Sequence, residues 1–368
     1  MITLSREQLV KVLSLVDDRQ KAVTKTTIEA KDRATQVKHF NPVERILTNL
    51  TIPAQINEPL EEISVSHRIL LSLAQKIDRD SIEITTNESE IVINNQYKIL
   101  RESNIMPTTT PAFEAPPVSL NTDWLKFCLK IANVIQSSSP ESGTPSILSI
   151  LNGIYLKIIE NKIITVSASN YCLAKSLSLL EEIQPQPQTI LVPMTTANQL
   201  LQILTKTDTE RLELIIGSNQ AQWIFDNGYI VSNLMDAEAY PNVDKFTESI
   251  PENTNIIDTQ NLIDAIERML VVVTRKPYPI KFEFLKTKLR LSPAKPEEHM
   301  GEEIVEIEES SGMEQEIWTN GELILKVLKR MGGTKIKIHL SQPNKPLYIE
   351  PIDSPINLLY LTTPIVHT

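Results

Sequence analysis

The chain is poor in the residues on which most enzymes and secreted scaffolds depend. Only two cysteines, Cys128 and Cys172, occur in 368 residues, and they stand in different regions. That is neither a disulfide framework nor a metal-ligand spacing, and it fits a reducing compartment. The histidines His39, His67, His299, His339 and His367 are scattered, so no zinc-binding pattern forms. Glycine is scarce, at nine residues. No GxGxxG or phosphate-cradling loop is present, and Gly332-Gly333 reads as the end of a helix. No nucleophile elbow occurs. The acids of EEIVEIEE (302–309) alternate as an exposed strand face does. We therefore expect no catalysis, no cofactor and no metal. No uncharged apolar run approaches the ~18 residues that span a membrane. The opening MITLSREQLV carries charges within its first seven residues, where a signal peptide needs an apolar core. The expected location is the cytoplasm, with no membrane partner. A net charge of −10 argues against a broadly basic nucleic-acid binder and leaves room for a local basic face.

What is present is a repeat. Three segments read as amphipathic helices with leucines at helical spacing: VSHRILLSLAQKI (65–77), VPMTTANQLLQIL (192–204) and TNGELILKVLKRM (319–331). Their starts are separated by 127 residues each time. Each precedes an alternating strand pattern, SIEIT, RLELII and KIKIHL, and then a second one, EIVIN, AQWIF and PLYIEP. A second helix type recurs as SREQLVKVLSLV (5–16), NTDWLKFCLKIANVI (121–135) and DTQNLIDAIERMLVVV (258–273), with Ser5, Thr122 and Asp258 as expected N-caps. In the second and third repeats this helix leads to paired strands, 153–169 and 280–293. Residues 17–57 read as partly helical, with short strand candidates such as 45–52. The proline-rich 107–117 reads as a linker, 248–255 likewise, and QPQPQ (184–188) as a loop. The expected organisation is three α+β domains, 1–117, 118–250 and 251–368, each with two helices packed on antiparallel sheets.

Several stretches then carry a family likeness. ILNGIYLKIIENKIITVSASNYCLAK (150–175), TILVPMTTANQLLQIL (189–204), AYPNVDKF (239–246), PAKPEEHMGEEIVEIEES (293–310) and the ending YLTTPIVHT follow one another in a familiar order and spacing. In these the chain resembles the bacterial DNA polymerase III beta subunit, the beta sliding clamp family with its phage-encoded relatives. It departs from the pattern where the family's Asp-Gly-His-Arg turn is Ser169-Asn170-Tyr171-Cys172, where the terminal Met-Pro-Met is Thr363-Pro364-Ile365, and where paired tyrosines are replaced by Ser149 and Ile150.

The resemblance implies a DNA clamp fold in a head-to-tail homodimeric ring. Such a ring encircles duplex DNA without sequence preference and tethers a DNA polymerase. The polymerase and a clamp loader are engaged through clamp-binding peptides, usually a glutamine followed by hydrophobic residues. The alternative use of the same fold is an interaction scaffold that does not encircle DNA. Carried over residue by residue, the partner-peptide pocket comprises Leu151, Tyr171, Cys172, Leu173, Pro241, Lys245, Phe246, Tyr278, Asn320, Leu323, Leu347, Ile349, Thr363, Pro364 and Ile365. The DNA-facing cations are Lys25 and Arg68, joined by Lys11, Lys21, Lys76, Lys126, Lys130, Lys326 and Lys329 on or near the inner helices. The dimer interface takes Tyr97 and Ile99 from one side and Val271 and Val272 from the other. Apolar residues at these places serve equally well as core, and single lysines as solvated surface.

Overall fold

The structure is a computed structural model that describes residues 1–16, 25–31, 33–104, 106, 113–137, 150–294, 300–311 and 314–365. Six helices of eight residues or more occur among them. They are α1 (Arg6–Leu13), α2 (His67–Lys76), α3 (Thr122–Gln136), α4 (Met194–Lys206), α5 (Thr259–Val272) and α6 (Gly321–Met331). Each sequence repeat thus supplies two. Local chemistry sets their ends. Ser5 Oγ accepts from the Gln8 amide at 3.4 Å and Asp258 Oδ1 from the Asn261 amide at 2.8 Å, two N-caps of the expected kind. Gly332 and Gly333, with φ of +69° and +85°, stop α6 in a conformation that other residues resist. The expected cap Thr122 is instead the first residue of α3, and its hydroxyl has no hydrogen-bond partner.

The chain forms two compact units. One comprises Met1–Thr122 and Thr195–Met235, the other Asp123–Met194 and Asp236–Thr368. In the first, a twelve-stranded antiparallel sheet runs from the edge strand Tyr97–Leu100 through Ile2–Ser5 and Ile46–Ile56 to Gly228–Asn233 and Leu212–Ile216. At the joint between Ile46–Ile56 and Gly228–Asn233 the backbones lie so close that a Cβ on Gly228 would sit 2.1 Å from the Asn49 carbonyl oxygen.

Two expectations fail here. The described part of 17–57 is not helical. It folds as the strands Lys25–Lys31, Ala34–Asn41 and Ile46–Ile56. Their inward positions are filled partly by Thr26, Thr27, Thr35, His39, Thr48 and Asn49, so the apolar alternation that marks a strand is diluted. QPQPQ is not a loop either. It belongs to the strand Cys172–Pro193, where Gln184 pairs with Glu160 and Gln188 with Ile158. Beyond Leu177 this strand pairs on one side only, so its prolines remove no ladder hydrogen bond on the open side.

The second unit carries a seven-stranded sheet and a four-stranded sheet, both antiparallel. The seven-stranded one includes Gly153–Ala168, Cys172–Pro193, Asn357–Thr362, Leu347–Ile352 and Lys335–Leu340. The four-stranded one is ordered Glu303–Glu306, Lys288–Pro293, Pro279–Phe284, Gln315–Asn320. One apolar core joins Ile131 and Ile135 of α3, Leu262 and Ile266 of α5 and Leu323 and Val327 of α6 with Phe282, Phe284 and Tyr360 from the sheets. The Trp124 indole N–H donates to Ser176 Oγ at 3.0 Å and fixes α3 against the long sheet.

Candidate functional site

The expected peptide pocket lies wholly within the second unit, where its residues divide into floor and rim. The strand Cys172–Pro193 pairs with Asn357–Thr362, so Cys172 faces Thr362 and Leu173 faces Leu361. The last described residues are held by backbone bonds. The Thr363 amide donates to the Tyr171 carbonyl at 2.8 Å, and the Ile365 amide to the Trp318 carbonyl at 2.8 Å. Tyr171 therefore anchors the tail through its main chain, while its side chain is 49% exposed. Tyr240 and Val243 are buried and anchor the segment that carries Pro241, and Lys245 and Phe246 follow on the single helical turn Asp244–Thr247. Phe246 is 44% exposed and Lys245 Nζ stands 4.9 Å from its ring centroid, a cation–π contact that orients the ring.

Asn320 caps α6 by accepting from the Leu323 amide at 3.1 Å. Tyr278 is half-buried, at a φ of +56°, and its carbonyl accepts from the Gly321 amide at 3.1 Å. Leu151, Thr363, Pro364 and Ile365 are half-buried. Cys172, Leu173 and Leu323 are buried; Cys172 and Leu323 belong to the unit's apolar core, and Leu173, next to Cys172 on the strand, turns to the opposite face of the sheet and is left as the floor. Two of the expected wall residues are placed otherwise. Leu347 and Ile349 have no exposed surface; their strand lies in the middle of the sheet, and they are core. Beneath the floor, burial first, and then the nearby Cys172, push the Tyr360 phenol well above its ordinary range.

The expected DNA-facing cations also divide. Lys25 is tied down by Glu102 at 3.4 Å and by the Ser103 carbonyl and hydroxyl at 3.1 and 2.9 Å. Lys126 pairs with Asp123 at 3.4 Å, Lys326 with Glu322 at 2.9 Å, and Lys329 with Glu267. Lys11 on α1, Arg68 and Lys76 on α2 and Lys130 on α3 are exposed and make no ion pair among the described residues. Lys21 lies outside the described residues.

At the expected interface positions, Ile99 is buried, Tyr97 is 39% exposed, Val271 is 75% exposed and Val272 is half-buried. Sequence reasoning missed three exposed apolar neighbours: Leu100 at 72%, Met300 at 76% and Ile304 at 43%. Leu100 ends the same edge strand as Tyr97, and alternation along that strand was the signal available. The acidic strand carries cations of its own. Arg268 grips Glu303 with two bonds of 2.7 and 2.8 Å, which hold the Glu303 carboxyl below the usual range. Glu302 and Glu306 face Arg290 and Lys288. No cluster of three or more metal-ligating side chains occurs among the described residues.

Helices packed on repeated antiparallel sheets, with a shallow apolar rim beside the chain's last strand, define a protein of the sliding-clamp class. The family model for the DNA polymerase III beta subunit, central domain, matches residues 129–242, and that for its C-terminal domain matches 249–363. Together these span more than half of the sequence, and the chain belongs to the DNA polymerase III beta subunit family. Among named relatives, the beta sliding clamp of Rickettsia felis is 22% identical over 312 residues, 80% of each chain. That of Rickettsia bellii is 23% identical over 242 residues, 62% of each chain. The fold matches solved structures end to end. For the DNA polymerase sliding clamp from Bacillus subtilis the TM-score is 0.87 at 18% identity, covering 100% of this chain and 99% of that one. For the DNA polymerase III subunit beta from Pseudomonas aeruginosa it is 0.85 at 19% identity, with all of both chains covered. No helix among the described residues is long and apolar enough to cross a membrane.

Proposed function

We propose that this chain is a non-catalytic processivity factor of the cytoplasm: two copies close around duplex DNA and tether a replicative polymerase. The observation that carries this reading is the clamp fold over the full length of the chain, joined to its membership of the family. Three modules, 1–117, 118–250 and 251–368, give a closed ring of six when two chains meet head to tail, a heterologous contact that closes on itself. The free edge strand Tyr97–Leu100 of one copy, with Tyr97 and Leu100 exposed, meets the other copy's free edge strand Glu303–Glu306, flanked by Ile304, Val271 and Val272. Unpaired edges of this kind are templates for a neighbouring strand. A ring holds DNA by topology, so weak phosphate contacts suffice and strong ones would hinder sliding.

The polymerase and a loader reach the ring through peptides that lie on the rim formed by Tyr171, Pro241, Lys245, Phe246 and the Thr363-Pro364-Ile365 tail. An apolar groove with a few polar anchors suits an extended peptide. The test is a processivity assay on primed circular DNA with loader and polymerase, in which long products should require this chain. Leu100→Asp with Val271→Asp should yield monomers by sedimentation at micromolar concentration and abolish those products. Phe246→Ala should weaken a fluorescent clamp-motif peptide at least tenfold while leaving dimers intact. A wild-type monomer would sink the ring, and unaltered peptide affinity would sink the groove.

A further inference from the structure

Next to the groove, inside the same unit, lies a cavity of about 530 Å³ that the peptide reading does not use. Its floor is the face of the sheet that carries Tyr155, Lys157, Val166 and Lys175, and its far wall is the segment Ala237–Asp244. Residues two apart on a strand share a face. Leu173 of the groove floor and Lys175 of the cavity floor are such a pair, ~7 Å apart along the strand. Pro241 belongs to both rims. The groove therefore runs into the cavity past Pro241.

The cavity is built rather than incidental. Tyr240 is 7% exposed and stacks on Tyr155, with ring centroids 5.0 Å apart and planes 20° from parallel. Lys175 is neutralised in place, 3.2 Å from Asp244 Oδ1 and 2.9 Å from Thr247 Oγ1, which braces the turn that carries Lys245 and Phe246. Lys157 is different. It lines the same cavity, is half-buried and makes no ion pair among the described residues. Glu238 also lines the cavity and forms no salt bridge with Lys157. An ammonium that lines a cavity without an ion-pair partner favours a carboxylate that arrives from outside.

We propose that the partner peptide continues past Pro241 into this cavity, where an acidic side chain on its flank pairs with Lys157. The proposal rests on the groove reading above and adds a specificity element to it. The glutamine-and-apolar core gives binding, and an acidic flank distinguishes among partners that share the core.

Fluorescence anisotropy on the intact dimer tests it with three peptides: the core alone, and the core extended by Asp-containing residues at its N- or C-terminal flank. One extended peptide should bind about three- to tenfold more tightly than the core, the range of a partly desolvated ion pair. Lys157→Ala should erase that gain and leave core affinity unchanged. Lys162→Ala removes the same charge from an exposed position outside the cavity and should preserve the gain. Extended peptides that bind no better than the core, or a gain that survives Lys157→Ala, would overturn the flank site while the groove stands. A core peptide that fails to bind at all would instead overturn the groove reading, and the flank with it.

Discussion

His39 shows how a single buried residue in the first unit sets a condition on the fold. It is 4% exposed and meets the fully buried His67 edge to face, with ring centroids 5.5 Å apart. His67 Nδ1 lies 2.7 Å from Thr26 Oγ1. Burial, and then the nearness of His67, pull the His39 pKa down to about 3. A base whose folded pKa lies below its unfolded value takes up a proton only on unfolding. Its contribution to stability is intact above the unfolded pKa of ~6.5 and drains away as the pH falls towards 3, by ~1.4 kcal/mol per pH unit. Between pH 7 and 5.5 the opening free energy of strand Ala34–Asn41, read from amide exchange corrected for intrinsic rates, should therefore fall by ~1 kcal/mol. His39→Gln should lower the protection at pH 7 and flatten the pH dependence. An unchanged slope in the variant would show that the ring does not titrate as its burial requires.

At the scale of elements, the helices were legible because their chemistry is local. In α6, Leu323, Ile324, Val327, Leu328 and Met331 recur at helical spacing and are all buried, and the terminator Gly332 is read directly from the string, whereas the cap Asn320 emerges only from the structure. The strands Lys25–Lys31 and Ala34–Asn41 of the first unit were not legible, because much of their inward face is polar. Thr27 and Ser64, for example, satisfy each other at 2.7 Å across neighbouring strands, and a pattern reader scores both as surface. The groove was legible only through the family likeness. Nothing in the sequence pattern separates the exposed Phe246 from the buried Leu347 and Ile349, since burial is decided by strand position in the sheet.

The end of α1 shows a further contact beyond sequence reach. The carbonyls of Ser14 and Leu15, orphaned at the helix terminus, accept from three side chains of α4. Gln202 and Lys206 donate to Ser14 at 2.7 and 3.0 Å, and Gln199 donates to Leu15. Gln199→Met keeps the volume and leaves a buried carbonyl unpaired, which should cost ~1–3 kcal/mol. Lys206→Ala removes an exposed partner and should cost well under 1 kcal/mol. Urea unfolding followed by circular dichroism separates these outcomes, and equal losses would assign the stability to packing alone.

For the whole molecule the question is how a chain of net charge −10 encloses a polyanion. The distribution of ion pairs answers it. Many cations outside the helices are already neutralised: Lys281 by Glu316, Lys335 by Glu308, Lys38 by Glu29 and Glu62. On the helices, Lys326 and Lys329 are likewise paired, whereas Lys11, Arg68, Lys76 and Lys130 are exposed and unpaired. An already paired lysine must give up its carboxylate to meet a phosphate, so its net gain is small. An unpaired one releases a counterion from the DNA at no such cost. Each phosphate contact contributes ~0.9 to the slope of log affinity against log salt. Arg68→Ala with Lys76→Ala should therefore flatten that slope by up to ~2, whereas Lys326→Ala with Lys329→Ala should change it by less than ~1. The measurement is retention of the loaded chain on nicked circular DNA over a salt series. Equal effects of the two pairs would mean that the ion pairs open freely on DNA and that the unpaired cations hold no special place in the lining.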